Sequence, residues 1–211
     1  MAAKFGTALL SGQGCALPTR FYVHDDVYDD VVGKVLAILG SLKVGDPLDP
    51  ASFIGPVVTE QALDRILGVI EQAKGDGATL LTGGHRLGGE LAHGWFLAPT
   101  VFGDVDHDSD LARNEVFGPV QAILRFSTDD EVLAQANDSP FGLGAYLHTR
   151  DSSRIQRFVN ELEAGTIVAN GMGGISPATP FGGYKQSGFG REGGRAGIDE
   201  MVRRKTVFVA P

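Results

Sequence analysis

Apolar residues recur along this chain at two periods, and the switches between them mark its elements. Between 28 and 42 the positions Tyr28, Val31, Val32, Val35, Leu39 and Leu42 fall at helical spacing. They predict a one-faced helix capped by Asp25 and Asp26 and stopped at Gly45-Asp46-Pro47. Thr59 opens a second helix with Leu63, Ile66, Leu67 and Ile70 on one stripe, and the Gly75-Asp76-Gly77 turn ends it before a short strand over 78–81. Residues 83–94 read as a loop. From Val120 the pattern becomes regular. A strand over 120–126 is followed by Thr128 and Glu131, spaced as a capping box for a helix carrying Val132, Leu133 and Ala136. After the turn Ser139-Pro140-Phe141-Gly142 comes a strand over 143–147, then a helix capped by Asp151 (Ile155, Phe158, Val159, Leu162), closed by Gly165, and a strand over 166–169. This alternation predicts an α/β fold with right-handed crossovers and a mainly parallel sheet.

The carboxy-terminal part reads differently. A glycine-rich stretch runs from Asn170 to Gly194, followed by a helix over 196–202 and a terminal strand over 206–209. Phe181, Tyr184 and Phe189 punctuate the glycines, which points to an ordered functional loop rather than a flexible linker. Within it, 188–193 matches G-x-G-x-x-G. No strand leads into the match and an Arg191-Glu192 pair fills its variable positions, so we decline it as a dinucleotide fingerprint.

Composition narrows the function classes. The chain has 211 residues, 43% of them hydrophobic and 21% charged, enough for a sizeable core. A net charge of −8, with no basic run longer than Arg203-Arg204-Lys205, argues against nucleic acid as a partner. The amino-terminal decapeptide lacks the apolar run of a secretory signal, and no segment has the length and hydropathy of a membrane span. One cysteine excludes an intramolecular disulfide, and the five histidines show no metal-ligand spacing. A cytoplasmic, metal-free protein is the expectation.

A lone cysteine is more often a small buried hydrophobe than a nucleophile. Here its neighbours count against that. Gly12-Gln13-Gly14-Cys15 places the thiol after the apolar stretch 5–10, in a glycine-flanked turn that a substrate carbon could approach closely.

Ser11-Gly12-Gln13-Gly14-Cys15, with Thr19-Arg20 shortly after, resembles the active-site cysteine segment of the NAD(P)-dependent aldehyde dehydrogenases. Further motifs agree in the same order along the chain. They are Val44-Gly45-Asp46-Pro47, Gly55-Pro56, Asn114-Glu115-Val116-Phe117-Gly118-Pro119, Asn137 with Phe141-Gly142-Leu143, Ala164-Gly165 with Asn170, 180–188, and Gly190-Arg191-Glu192. The resemblance implies a catalytic domain over 1–202, its mainly parallel sheet covered by helices on both faces, and a tail over 203–211 for subunit contacts, hence a homo-oligomer.

The same resemblance implies oxidation of a small-molecule aldehyde to a carboxylic acid. Cys15 would attack to give a thiohemiacetal and then a thioester, with hydride passing to NAD or NADP, and its backbone N–H would be half of the oxyanion site. Glu115 would accept hydrogen bonds from the nicotinamide ribose and Phe117 would contact the nicotinamide ring. Gly14, Ala16, Ile175 and Phe181 would line the aldehyde pocket, Ile175 standing where the family often has an aromatic. On position alone, Glu115 reads as a solvent-facing charge and both phenylalanines as core rings; the motifs around them shift that reading. The family's general-base glutamate, oxyanion asparagine and dinucleotide-binding domain precede the nucleophile, whereas only fourteen residues precede Cys15. The expectation is therefore a carboxy-terminal portion, inactive alone. A non-catalytic assembly domain and a cysteine hydrolase pairing Cys15 with a histidine are the alternatives.

Overall fold

The run over 120–126 is the strand on which the first part of the fold is built. In the computed structural model, which describes residues 2–173 and 176–211, β4 (Val120–Phe126) runs parallel to β1 (Arg20–His24) and to β3 (Thr100–Gly103). β3 in turn pairs antiparallel with β2 (Thr79–Thr82), giving the order β1-β4-β3-β2. The sheet is thus mixed, with two of its three pairings parallel. It belongs to one of two units, Met1–Ala136; the other is Asn137–Pro211.

Side chains alternate across a strand, so a strand buried on both faces reads as an unbroken apolar run. Val120, Ala122 and Leu124 pack on one face with Phe102 and with Leu63, Ile66 and Ile70 of α2 (Glu60–Gly75). Ile123 faces the other way with Val101, Val23 and with Tyr28, Val35 and Leu39 of α1 (Tyr28–Gly40). Helices therefore cover both faces of this sheet. Each fully buried Leu or Ile contributes roughly 1.5–3 kcal/mol.

The helix starts follow the expected chemistry. Thr59 Oγ1 accepts from Ala62 N–H at 3.1 Å. At α4 (Asp129–Asn137), the next helix after the single turn α3 (Asp110–Arg113), Thr128 Oγ1 accepts from Glu131 N–H, and Glu131 reaches back to Ser127 N–H at 2.9 Å. α1 departs from expectation at both ends. Asp25 and Asp26 lie inside a 3₁₀ turn, Asp25–Val27, which is capped by His24 Nδ1, and they act as first-turn acidic groups instead of caps. α1 also stops at Gly40, where the Ser41 and Leu42 N–H groups close back on Ile38 and Leu39.

In the second unit, β5 (Phe141–Gly142) pairs antiparallel with β8 (Tyr184–Lys185), and β6 (Gly144–Leu147) runs parallel to β7 (Thr166–Ala169) across α5 (Ser152–Glu161). Asp151 caps α5 with bonds to the Ser153 and Arg154 N–H groups. The glycine-rich stretch is ordered where described. Phe181 and Glu192 exchange two backbone hydrogen bonds, and Gly165 packs so tightly on the Gly182 carbonyl that a Cβ would lie 1.8 Å from its oxygen. The strand expected over 206–209 does not form: 202–211 are exposed and have no regular structure, because the segment has no ladder partner within this chain. Among the described residues no helix is long and apolar enough to cross a membrane.

Candidate active site

The cysteine sits on a strained chain reversal. After a π-helical turn, Lys4–Ala8, three successive residues are left-handed, with φ 52° at Leu10, 55° at Ser11 and 70° at Gly12. Such a conformation costs roughly 1–2 kcal/mol for each non-glycine residue and persists only where neighbours hold it. Three side-chain hydrogen bonds do so. Ser11 Oγ donates to the Gly55 carbonyl at 2.9 Å, Gln13 Nε2 donates to the Leu10 carbonyl, and Gln13 Oε1 accepts from Val58 N–H at 2.9 Å. The Leu17 N–H then closes a turn on the Gly14 carbonyl, leaving Cys15 exposed at its tip with Gly14 and Ala16 beside it. The Cys15 N–H donates to no acceptor among the described residues.

A second segment backs directly onto this reversal. A Cβ on Gly12 would lie 2.0 Å from the Gly118 carbonyl oxygen, so the two backbones touch where only glycine fits. Val116 is buried in the core, and Arg65 Nη2 donates to its carbonyl at 2.5 Å. With Val116 pinned inward, Glu115 and Phe117 on either side of it are exposed, Phe117 at a left-handed φ of 51°. Glu115 has no side-chain partner among the described residues, so its carboxylate is available to a ligand.

The structure therefore brings the Cys15 turn and the 115–118 segment into contact through Gly12 and Gly118. Phe181 lies in the second unit, half-buried and paired with Glu192, and Ile175 lies outside the described residues. None of the first unit's histidines, His24, His85, His93 and His107, hydrogen-bonds Cys15.

Sequence reasoning missed the anchors Ser11, Gln13 and Arg65, and with them Gln121, whose amide hydrogen-bonds Thr7 before the turn and the Thr19 carbonyl after it. Gln121 carried a readable signal, a polar residue at the centre of an otherwise apolar strand, and it is fully buried. The other three are ordinary polar residues whose partners lie far along the chain, from 44 positions for Ser11 to 51 for Arg65.

Comparison with known proteins gives a consistent result. The family model described as "Aldehyde dehydrogenase family" matches residues 1–207. Succinate-semialdehyde dehydrogenase [NADP(+)] 1 of Mycobacterium tuberculosis is 43% identical over 208 residues, covering 99% of this chain and 45% of the relative. Betaine aldehyde dehydrogenase of Brucella anthropi is 42% identical over 209 residues, covering 98% of this chain and 43% of the relative. The crystal structure of Mycobacterium tuberculosis aldehyde dehydrogenase complexed with NAD+ superposes with a TM-score of 0.94 at 37% identity, over 100% of this chain and 43% of that one. The chain thus spans less than half the length of these relatives.

Proposed function

Since the chain belongs to the aldehyde dehydrogenase family, we propose that it carries the nucleophile and one end of the cofactor site of an enzyme oxidising a small-molecule aldehyde with NAD or NADP. The observation that carries this reading is the Gly12–Gly118 contact, which backs the Cys15 turn against the segment bearing Glu115 and Phe117. In support, Cys15 and Glu115 are both exposed, on the two segments that this contact joins, and neither the Cys15 N–H nor the Glu115 carboxylate has a partner among the described residues.

The residues fit a nicotinamide nucleotide. Glu115, its carboxylate free, would take the ribose hydroxyls as hydrogen-bond donors, and the exposed Phe117 ring would lie against the nicotinamide. The chemistry a bound nicotinamide would supply is hydride acceptance. This chain supplies the covalent part. With its proton given up to water, Cys15 Sγ adds as thiolate to the aldehyde carbon, forming the carbon–sulfur bond of a thiohemiacetal while the carbonyl π electrons pass to the oxygen facing the Cys15 N–H. At the thioester stage the same sulfur is the leaving group as water releases the carboxylic acid.

A single cysteine suits a reducing cytoplasmic setting. The tail over 203–211, with Phe208 87% exposed and Val209 82% exposed, suits a strand that pairs only in a subunit contact, making the enzyme a homo-oligomer. The test is absorbance of reduced nicotinamide with a panel of aldehydes. These 211 residues alone should give no sustained turnover, and joined to the remaining length of an aldehyde dehydrogenase relative they should give turnover that Cys15→Ser abolishes. Undiminished turnover by the Cys15→Ser form would refute the assignment.

A further inference from the structure

We propose that Gln121 is a positioning residue that fixes the nucleophile turn by binding both of its arms, an inference that rests on Cys15 being the nucleophile. Gln121 sits mid-strand on β4 at 0% exposure, on the face where Ile123 and Val101 pack. Its Oε1 accepts from the hydroxyl of Thr7, also 0% exposed, at 2.9 Å on the arm entering the turn. Its Nε2 donates to the carbonyls of Thr19 at 2.7 Å and Pro18 at 3.4 Å on the arm leaving it.

Three features make this a clamp rather than incidental satisfaction of a core amide. First, residues 8–18 belong to no strand, so no ladder fixes them; Ser11 and Gln13 hold the middle of the turn, and Gln121 holds its two ends. Second, the two arms touch. A Cβ on Gly6 would lie 1.8 Å from the Pro18 oxygen and 2.9 Å from Gln121 Oε1, so both arms and the amide converge where no side chain fits. Third, the Thr19 carbonyl accepts from the Ala122 N–H at 3.0 Å as well as from Gln121, which occupies both its lone pairs and ties the exit arm to β4. An apolar side chain of similar volume would fill this space without a buried amide to satisfy; what the amide adds is direction, because its oxygen only accepts and its nitrogen only donates.

The chain's one cysteine allows a trifluoromethyl label to be placed on Cys15 alone and read by ¹⁹F NMR. The parent should give one line. Gln121→Met, which removes all three bonds, and Thr7→Val, which removes only the entering arm's, should each give at least two lines as the turn samples several positions. Ile70→Ala, a core change on the opposite sheet face, should keep one line despite its lower stability. If Gln121→Met fails to fold, Thr7→Val decides. A single unshifted line in a folded clamp variant, several lines in the parent, or equal splitting in Ile70→Ala would each overturn the proposal. The label reports where the sulfur sits whether or not it attacks aldehydes, so failure here is distinct from failure of the nucleophile assignment.

Discussion

Replacing Gly12 by alanine tests the contact that joins the two halves of the site. Gly12 holds φ 70°, a conformation costing roughly 1–2 kcal/mol for an L-residue. The new Cβ would also sit 2.0 Å from a backbone oxygen that cannot rotate away, so the Cys15 turn and the Gly118 segment must separate by about an ångström or more. Overpacking of this kind adds roughly 1–3 kcal/mol, for a total of about 2–5 kcal/mol against the 5–15 kcal/mol typical of a whole protein. At roughly 2–4 °C per kcal/mol, the melting temperature should fall by about 4–20 °C. Thermal melts followed by circular dichroism measure this. Gly33, exposed within α1 and with nothing within 4 Å of its missing Cβ, is the control; Gly33→Ala should stabilise by roughly 0.5–1 kcal/mol through helix propensity. A Gly12→Ala variant melting within a degree of the parent would refute the close contact, and with it the pairing of Cys15 with Glu115 and Phe117.

Other expectations follow from the same geometry. In an active assembly, Glu115→Gln should slow hydride transfer while changing stability by less than about 0.5 kcal/mol, since the side chain is exposed and has no partner among the described residues; loss of folding with normal kinetics would make the carboxylate structural. The Lys43–Asp49 ion pair, 2.6 Å apart, braces the segment that carries Gly55 and Val58 beneath the Cys15 turn. Its hydrogen bond holds the Asp49 carboxyl below its ordinary 3.8 and the Lys43 ammonium above its ordinary 10.5. The pair's contribution is therefore intact between those values. It is lost as pH falls through the depressed Asp49 value or rises through the raised Lys43 value, and Asp49→Asn should flatten the acid limb in hydrogen-exchange profiles of 43–58.

What the sequence revealed depended on whether the deciding contact was local. Thr59, Thr128 with Glu131, and Asp151 cap helices through neighbours two to four residues away, and those starts were readable. β4 was readable because burial on both faces writes an apolar run. β1, with Arg20 and His24 at its ends, and β3, only four residues long after Pro99, carry weak periodicity and were missed; pairing with β4 makes them strands. The tail over 206–209 shows the converse, β-forming residues left unpaired because a strand requires a partner. At the site, the glycines around Cys15 were legible as a tight turn. The left-handed Leu10 and Ser11 were not, since their conformation is held by Gly55 and Val58 far along the chain.

The central claim is that folding makes Cys15 an acyl-accepting nucleophile, and p-nitrophenyl acetate tests it without any cofactor. Attack by Sγ expels p-nitrophenolate and leaves an acetyl thioester, visible as a coloured burst and as one added acetyl group by intact mass. If the Cys15 N–H, which donates to no acceptor among the described residues, holds the oxyanion in the folded turn, acylation of the folded chain should exceed that of the urea-unfolded chain by about tenfold or more, and Cys15→Ser should show no burst. Equal rates in the folded and unfolded chains, or acetylation spread over lysines and unchanged in Cys15→Ser, would contradict the account.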